Sequence, residues 1–282
     1  MKKIKGFVRL MRVELPFSAG VCVVLGQLFA LGRFASVPDT LYGFFSVFMI
    51  SASILVLNDY FDVETDRINA PDRPIPSNLV SPAEALVLSI ILLCGGLILS
   101  FLLSMTALIC CIGLLIIGFL YNRKFKKNGL AGNLMVSFSV GMTFIYGGIS
   151  AGEPFNKVVW FFGVIAALVD LGEEIAADSM DVRGDSLINS SSIAIRYGKD
   201  AALRISSYIF SFVIFLTVFP FILNWFPIVF VFPIAIMDIV IAYSTVRLLK
   251  SGEEEGRKYI RMIYLGATFG LVIFLVMRLL NV

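Results

Sequence analysis

The chain has 282 residues, of which 59% are hydrophobic and 15% charged, with a formal net charge of +3, a mean hydropathy of +0.92 and no histidine. That balance excludes an ordinary soluble domain and points to an integral membrane protein with no nucleic-acid partner. Without histidine, imidazole base catalysis, His-ligated haem and His-containing zinc sites are also excluded, which leaves carboxylates, basic groups, hydroxyls and a bound cofactor to carry any chemistry.

The opening MKKIKGFVRLMR places Ile4, Phe7, Val8 and Met11 at helical spacing beside basic residues, which predicts an amphipathic interfacial segment over residues 1–12. It leads into a run of full spanning length with no small-residue cleavage site, so it does not read as a removed signal. Spans of roughly 20 apolar residues are predicted near 13–32, 40–60, 83–104, 106–121, 130–151, 156–177, 204–224, 227–247 and 259–280. The fold class expected is an all-α integral membrane protein, a single domain over 1–282 with nine transmembrane helices in one bundle. Lys and Arg test that count, because short cytoplasmic loops carry the excess of positive charge. With the N-terminus cytoplasmic, twenty of the 23 basic residues fall on the inner side, leaving Arg33, Lys157 and Arg278 outside. The predicted topology is therefore N-terminus in, C-terminus out. The four cysteines, Cys22, Cys94, Cys110 and Cys111, lie inside predicted spans with no metal spacing and read as apolar packing.

The end of the second span reads LVLNDYFDVETDRINAPDRPIPS, residues 55–77. At helical spacing Asn58, Asp62 and Asp66 share one face, with Asp59 at its border. A second stripe, Asp170, Glu174, Asp178, Asp181 and Asp185, ends the sixth span in LVDLGEEIAADSMDVRGD, residues 168–185. Glu64, Asp72 and Glu173 lie off these faces and read as helix-end acids solvated by headgroups. Stacked carboxylates repel, so such stripes imply compensating cations. Oxygen-only donors suit hard ions, and Mg²⁺ is usually held by one or two carboxylates together with substrate phosphates. Two facing stripes would bridge Mg²⁺ to a diphosphate, with Arg67, Arg73, Arg123, Lys124, Lys126 and Arg183 beside them. A diphosphate joined to a tail that enters a helix bundle suggests a polyprenyl diphosphate donor. Metal neutralisation turns the diphosphate into a leaving group. The competing reading is a carboxylate-lined cation or lipid transporter, whose site would sit near the midplane; Asp170, Glu173, Glu174 and Asp238 are placed deep enough for it.

NDYFDVETD, residues 58–66, and DVRGD, residues 181–185, resemble the two Asp-rich motifs, NDxxDxxxD and DxxxD, on helices 2 and 6 of the nine-helix UbiA-type intramembrane prenyltransferases. The resemblance implies Asn58, Asp62, Asp66, Asp178, Asp181 and Asp185 as ligands of Mg²⁺, with Asp62, Asp66, Asp181 and Asp185 catalytic. It implies Tyr121 with Lys124 or Lys126 near the phosphates, and Arg67 and Arg73 assisting. The loops, including GLAGNLMVSFSVGMTFIYGG at 129–148, look most like the archaeal branch that adds a second geranylgeranyl chain to geranylgeranylglyceryl phosphate. For such a phosphorylated acceptor, Arg123, Lys126 and Lys199 could supply further positive charge; an aromatic acceptor of quinone, haem or chlorophyll type is the alternative. The implied location is the cell membrane, with the site facing the cytoplasm. Two departures stand out: Asn78 replaces the glycine of RPIPSG, and AADSMDVRGD replaces a Lys-Asp-x-Glu-Asp-like run.

Overall fold

A computed structural model describes residues 2–182 and 191–280, so Arg183 and Asp185 lie outside the described residues. Every regular element among the described residues is helical: α1 (Lys2–Met11), α2 (Glu14–Leu31), α3 (Val37–Phe61), α4 (Val63–Asn69), α5 (Pro82–Leu103), α6 (Met105–Leu120), α7 (Leu130–Ser150), α8 (Lys157–Met180), α9 (Ile193–Tyr197), α10 (Lys199–Leu216), α11 (Phe219–Ile222), α12 (Val231–Leu248) and α13 (Glu253–Leu279). A single π-helical stretch, Tyr121–Phe125, extends α6, and a 3₁₀ turn, Ile228–Phe230, precedes α12.

Eight helical stretches among the described residues are long and apolar enough to cross a membrane. The α8 helix is not one of them, although its 24 residues reach about 36 Å. Asp170, Glu173, Glu174 and Asp178 lower its hydropathy. The predicted boundaries fall close to the observed ones because the caps are local. Ser36 accepts from the Asp39 amide at 3.2 Å to start α3, and Ser81 and Glu84 form a reciprocal capping box on α5. Ser104 alone joins α5 to α6: its amide donates to Ser100 and its hydroxyl accepts from the Ala107 amide at 3.0 Å. The predicted span 204–224 is interrupted where α10 ends at Leu216 and the Pro-containing α11 follows.

The chain divides into two compact units, one formed by Met1–Lys124 with Met142–Trp160, the other by Phe125–Gly141 with Phe161–Val282. In the first, Leu10, Ala52, Val56, Ile75, Val80 and Leu92 form one buried cluster, and Val23, Val47, Ile50, Cys111 and Tyr146 another. Lipid gives no hydrophobic drive between helices, so close backbones and shared hydrogen bonds hold this unit. A Cβ on Gly147 would collide with the Val23 carbonyl, and one on Gly26 with that of Phe144. The Tyr146 hydroxyl lies 2.8 Å from Ser46 Oγ and donates to Ser100 Oγ at 3.2 Å; Ser53 and Ser89 pair at 2.9 Å. The α1 helix rests on this unit through Gly6 and Leu10, whereas Ile4 and Val8 point outward, leaving only part of the expected apolar face for the surface.

In the second unit Val169, Met180, Phe210, Met237, Ile241, Tyr259 and Ile263 form the core, and Ser206 Oγ donates to the Gly172 carbonyl at 2.7 Å. Phe162, Phe226, Phe230 and Phe274 pack with ring centroids 4.6–6.3 Å apart. Isoleucines, leucines and phenylalanines along α5, α6, α10 and α12 remain exposed, as lipid-facing surfaces require.

Candidate active site

The first motif lies within the first unit. The α3 helix stops at Phe61, Asp62 caps it with φ −90°, and α4 begins at Val63. The backbone ladder nevertheless runs through: the Asp62 amide donates to Asn58 at 3.0 Å and the Asp66 amide to Asp62 at 2.8 Å. Asn58, Asp62 and Asp66 therefore keep the shared face that their spacing predicts. Asp66 is buried and accepts from Arg73 Nη1 at 2.5 Å.

Asp59, only 3% exposed, accepts from Arg12 Nη2 at 2.6 Å and has Arg73 at 3.6 Å. This alternating Arg12, Asp59, Arg73, Asp66 chain joins the α1–α2 junction, α3, α4 and the following loop. Burial pulls the Arg73 guanidinium pKa down, but the hydrogen bond to Asp66 and the charges of Asp59 and Asp66 outweigh it and hold the group above its ordinary value. Arg73 is thus committed to carboxylates of the motif. Arg67, expected to assist at the phosphates, points outward and pairs with Glu64 at 3.0 Å.

The loop 70–80 folds back on itself, with Pro74 and Ile75 buried and the Pro74 carbonyl accepting from the Leu79 and Val80 amides. Arg9 donates to the Asp72 carbonyl at 3.0 Å. Asn78 has φ 57°, the left-handed region that glycine favours and asparagine tolerates, which explains how it stands in the glycine's place.

The π turn at Tyr121–Phe125 is anchored beside this motif. Asn122 Nδ2 donates to the Ile54 carbonyl at 3.0 Å, and the Arg123 guanidinium lies 5.8 Å from the Phe61 ring centroid. Isolated π turns often mark functional positions, and this one carries Tyr121, Arg123 and Lys124. Lys126, just beyond it, is exposed.

The second motif lies within the second unit. Asp170 accepts from Ser137 Oγ at 2.8 Å and Asp178 from Asn133 Nδ2 at 2.9 Å, so α7 supplies a matching row of donors. Asp181 follows the last turn of α8 and pairs with Arg257 of α13, whose Nη2 also reaches the Met180 carbonyl at 3.5 Å. Lys199 Nζ donates to the Ser251 carbonyl at 3.4 Å, in the turn leading into α13. Glu173 Oε1 and Asp238 Oδ1 are buried with no hydrogen-bond partner among the described residues; Asp238 Oδ2 accepts from Thr217.

Sequence reasoning missed Arg12, Asn133 and Arg257, and placed Asp59 only at the border of the first face. Arg12 is separated from Asp59 by 47 positions and Arg257 from Asp181 by 76, beyond any local pattern. Among the described residues no three acids gather into a ready cluster for a metal ion. The donors nonetheless fit a hard cation, since they are oxygens throughout and Asp66 and Asp181 each already hold a guanidinium as a stand-in positive charge.

Carboxylates at the ends of long apolar helices, paired in place with arginine, define a membrane-embedded protein with charged clusters at its helix ends. Comparison with known proteins narrows this class. The model of the UbiA prenyltransferase family matches residues 19–276, and the chain belongs to that family and is a prenyltransferase. Digeranylgeranylglyceryl phosphate synthase of Methanocaldococcus jannaschii is 34% identical over 90% of this chain and 89% of its own length. The synthase of the same name from Methanococcus aeolicus is 30% identical over 93% and 94%. A structure solved to examine digeranylgeranylglyceryl phosphate synthase in membranes superposes with TM-score 0.87 at 32% identity and covers 99% of both chains. A UbiA homologue from Archaeoglobus fulgidus bound to GPP and Mg²⁺ shares the fold with TM-score 0.66 at 17% identity, covering 95% of this chain and 99% of its own.

Proposed function

We propose that this chain transfers a geranylgeranyl group from geranylgeranyl diphosphate to the free hydroxyl of geranylgeranylglyceryl phosphate, forming an ether of archaeal membrane lipid. The observation that carries this reading is the likeness to digeranylgeranylglyceryl phosphate synthases, 30–34% identical over most of both chains. The retained face of Asn58, Asp62 and Asp66 supports it chemically.

Asn58, Asp62 and Asp66 in the first unit, with Asp178, Asp181 and Asp185 in the second, are the residues that would hold Mg²⁺. When bound, Mg²⁺ neutralises diphosphate charge and makes the group a better leaving group. Arg73 holds the Asp66 carboxylate in place through its ion pair, while Arg123 and Lys124 on the π turn, with Tyr121, offer donors to phosphate oxygens. In the transfer, the bond between donor C1 and the diphosphate oxygen breaks and the acceptor oxygen bonds to C1. The acceptor proton leaves to a motif carboxylate or to the released diphosphate. Lys126 and Lys199 supply positive charge for the acceptor phosphate.

The whole chain acts as one transmembrane domain, 1–282. In it α8 is the ninth span, its acids tolerated because they face protein donors such as Ser137 and Asn133 rather than lipid. The distribution of Lys and Arg supports a cytoplasmic N-terminus, an outward C-terminus and a site at the cytoplasmic face of the cell membrane. The test is product analysis of the purified protein with radiolabelled geranylgeranyl diphosphate, Mg²⁺ and each acceptor in turn. A diether formed only with geranylgeranylglyceryl phosphate is expected. Prenylation of an aromatic acceptor instead would overturn the acceptor assignment.

A further inference from the structure

Asp181 receives its positive charge from outside the motif. Arg257 lies in the second turn of α13, and its guanidinium binds both the Met180 carbonyl at the end of α8 and the carboxylate of Asp181, which follows it. Its backbone packs against the end of α8: Gly256 is buried with the end of the Met180 side chain against it. Two residues further on, Tyr259 is buried and its hydroxyl accepts from Arg247 Nε at 3.0 Å. The side chain itself is not enclosed: Arg257 is 58% exposed and Asp181 48%. A fixed Cα carrying an exposed guanidinium suits a group that exchanges partners.

The first motif offers the contrast. There Arg73 sits on Asp66, only 8% exposed, has Asp59 as a second carboxylate at 3.6 Å, and comes from the adjoining loop. Arg73 is built to stay, whereas Arg257 holds one exposed carboxylate and can release it at little cost. A planar guanidinium with five donors matches phosphate oxygens as well as carboxylate oxygens.

We propose that Arg257 is the resident counter-cation of the second motif: it occupies Asp181 until a divalent cation arrives, and is then released to a phosphate oxygen of the bound substrate. The proposal rests on the reading of Asp181 as a metal ligand given above. Arg257 is thus a competitor of the metal and a binder of the substrate, two roles that a merely structural ion pair would not combine.

The test measures Mn²⁺ binding to the purified full-length protein, without substrate, from the paramagnetic resonance signal of free Mn²⁺. Wild type, Arg257→Gln, Arg257→Lys and Asp181→Asn are compared, each checked for folding by its melting midpoint. Removing an exposed competing cation should tighten Mn²⁺ binding by about three- to fivefold in Arg257→Gln, and Arg257→Lys should return it towards wild type. In the same variant the KM of one phosphorylated substrate should rise by roughly tenfold. Measuring donor and acceptor separately shows whether the diphosphate or the acceptor phosphate receives the guanidinium. Mn²⁺ affinity unchanged or weaker in Arg257→Gln, with binding lost in Asp181→Asn, would overturn the exchange while leaving Asp181 as a ligand. Unchanged binding in Asp181→Asn would remove the ligand assignment and the exchange with it.

Discussion

Replacing Asp59 by alanine removes the acceptor on which Arg12 and Arg73 converge, and the structure sets the size of the loss. Asp59 is 3% exposed, while the Arg12 and Arg73 side chains are 27% and 35% exposed. Breaking a fully buried ion pair costs about 3–5 kcal/mol. Here both arginines retain access to water, and Arg73 keeps Asp66 at 2.5 Å, so the loss falls below that range, to about 2–3 kcal/mol. Arg12 also has φ 45°, a conformation costing about 1–2 kcal/mol that its ion pair helps to hold. Arg12→Ala removes that pair too, but it leaves Asp59 buried with only the longer contact to Arg73, and should cost a similar amount. Because both variants delete one interaction, the double variant should be less damaged than the sum by about 1–2 kcal/mol. Melting midpoints in detergent, compared at one scan rate because membrane proteins often unfold irreversibly, should fall by roughly 5–10 °C for each single variant. Single variants within about 1 °C of wild type, or strictly additive effects, would refute the view that this chain of charges fastens α1 and the 70–80 loop to the first motif.

Tyr146→Phe deletes one hydroxyl bonded between Ser46 and Ser100 and should cost about 1 kcal/mol, read as a lower melting midpoint with KM unchanged. Gly147→Ala drives a methyl into the Val23 carbonyl and should destabilise by about 1–3 kcal/mol, so that yield and melting midpoint fall together. Arg67→Ala should leave stability within about 0.5 kcal/mol, read as an unchanged melting midpoint, because its pair with Glu64 is exposed on both sides. Chelating divalent cations should abolish turnover without unfolding the protein, and added Mg²⁺ should restore it.

What could be read from the chain alone was whatever depends on local pattern. Apolar runs gave the spans, and Ser36, Ser81 and Ser104 cap helices that start where those runs begin. Helical spacing placed Asn58, Asp62 and Asp66 on one face, and the unbroken amide ladder through Asp62 preserves it. Long-range pairing was invisible. Nothing near Asp181 in the sequence points to Arg257, and nothing near Arg12 points to Asp59. The same holds for Arg73: nothing local shows that the residue read as assisting at the phosphates pairs with Asp66 and Asp59. The π turn at Tyr121–Phe125 was also hidden, since a wider helical turn leaves no mark on periodicity over five residues. The α8 helix, read from the chain as the span 156–177, carries four acids, and only the folded chain shows Ser137 and Asn133 as the partners of Asp170 and Asp178.

If both Asp-rich motifs serve one metal-dependent transfer, Mg²⁺-dependent diphosphate release from geranylgeranyl diphosphate with geranylgeranylglyceryl phosphate present, compared between wild type, Asp62→Ala and Asp181→Ala, measures it. Wild type should yield diether and diphosphate in equal amounts, and each folded variant should lose at least about a hundredfold. Turnover retained in either variant would contradict that shared role.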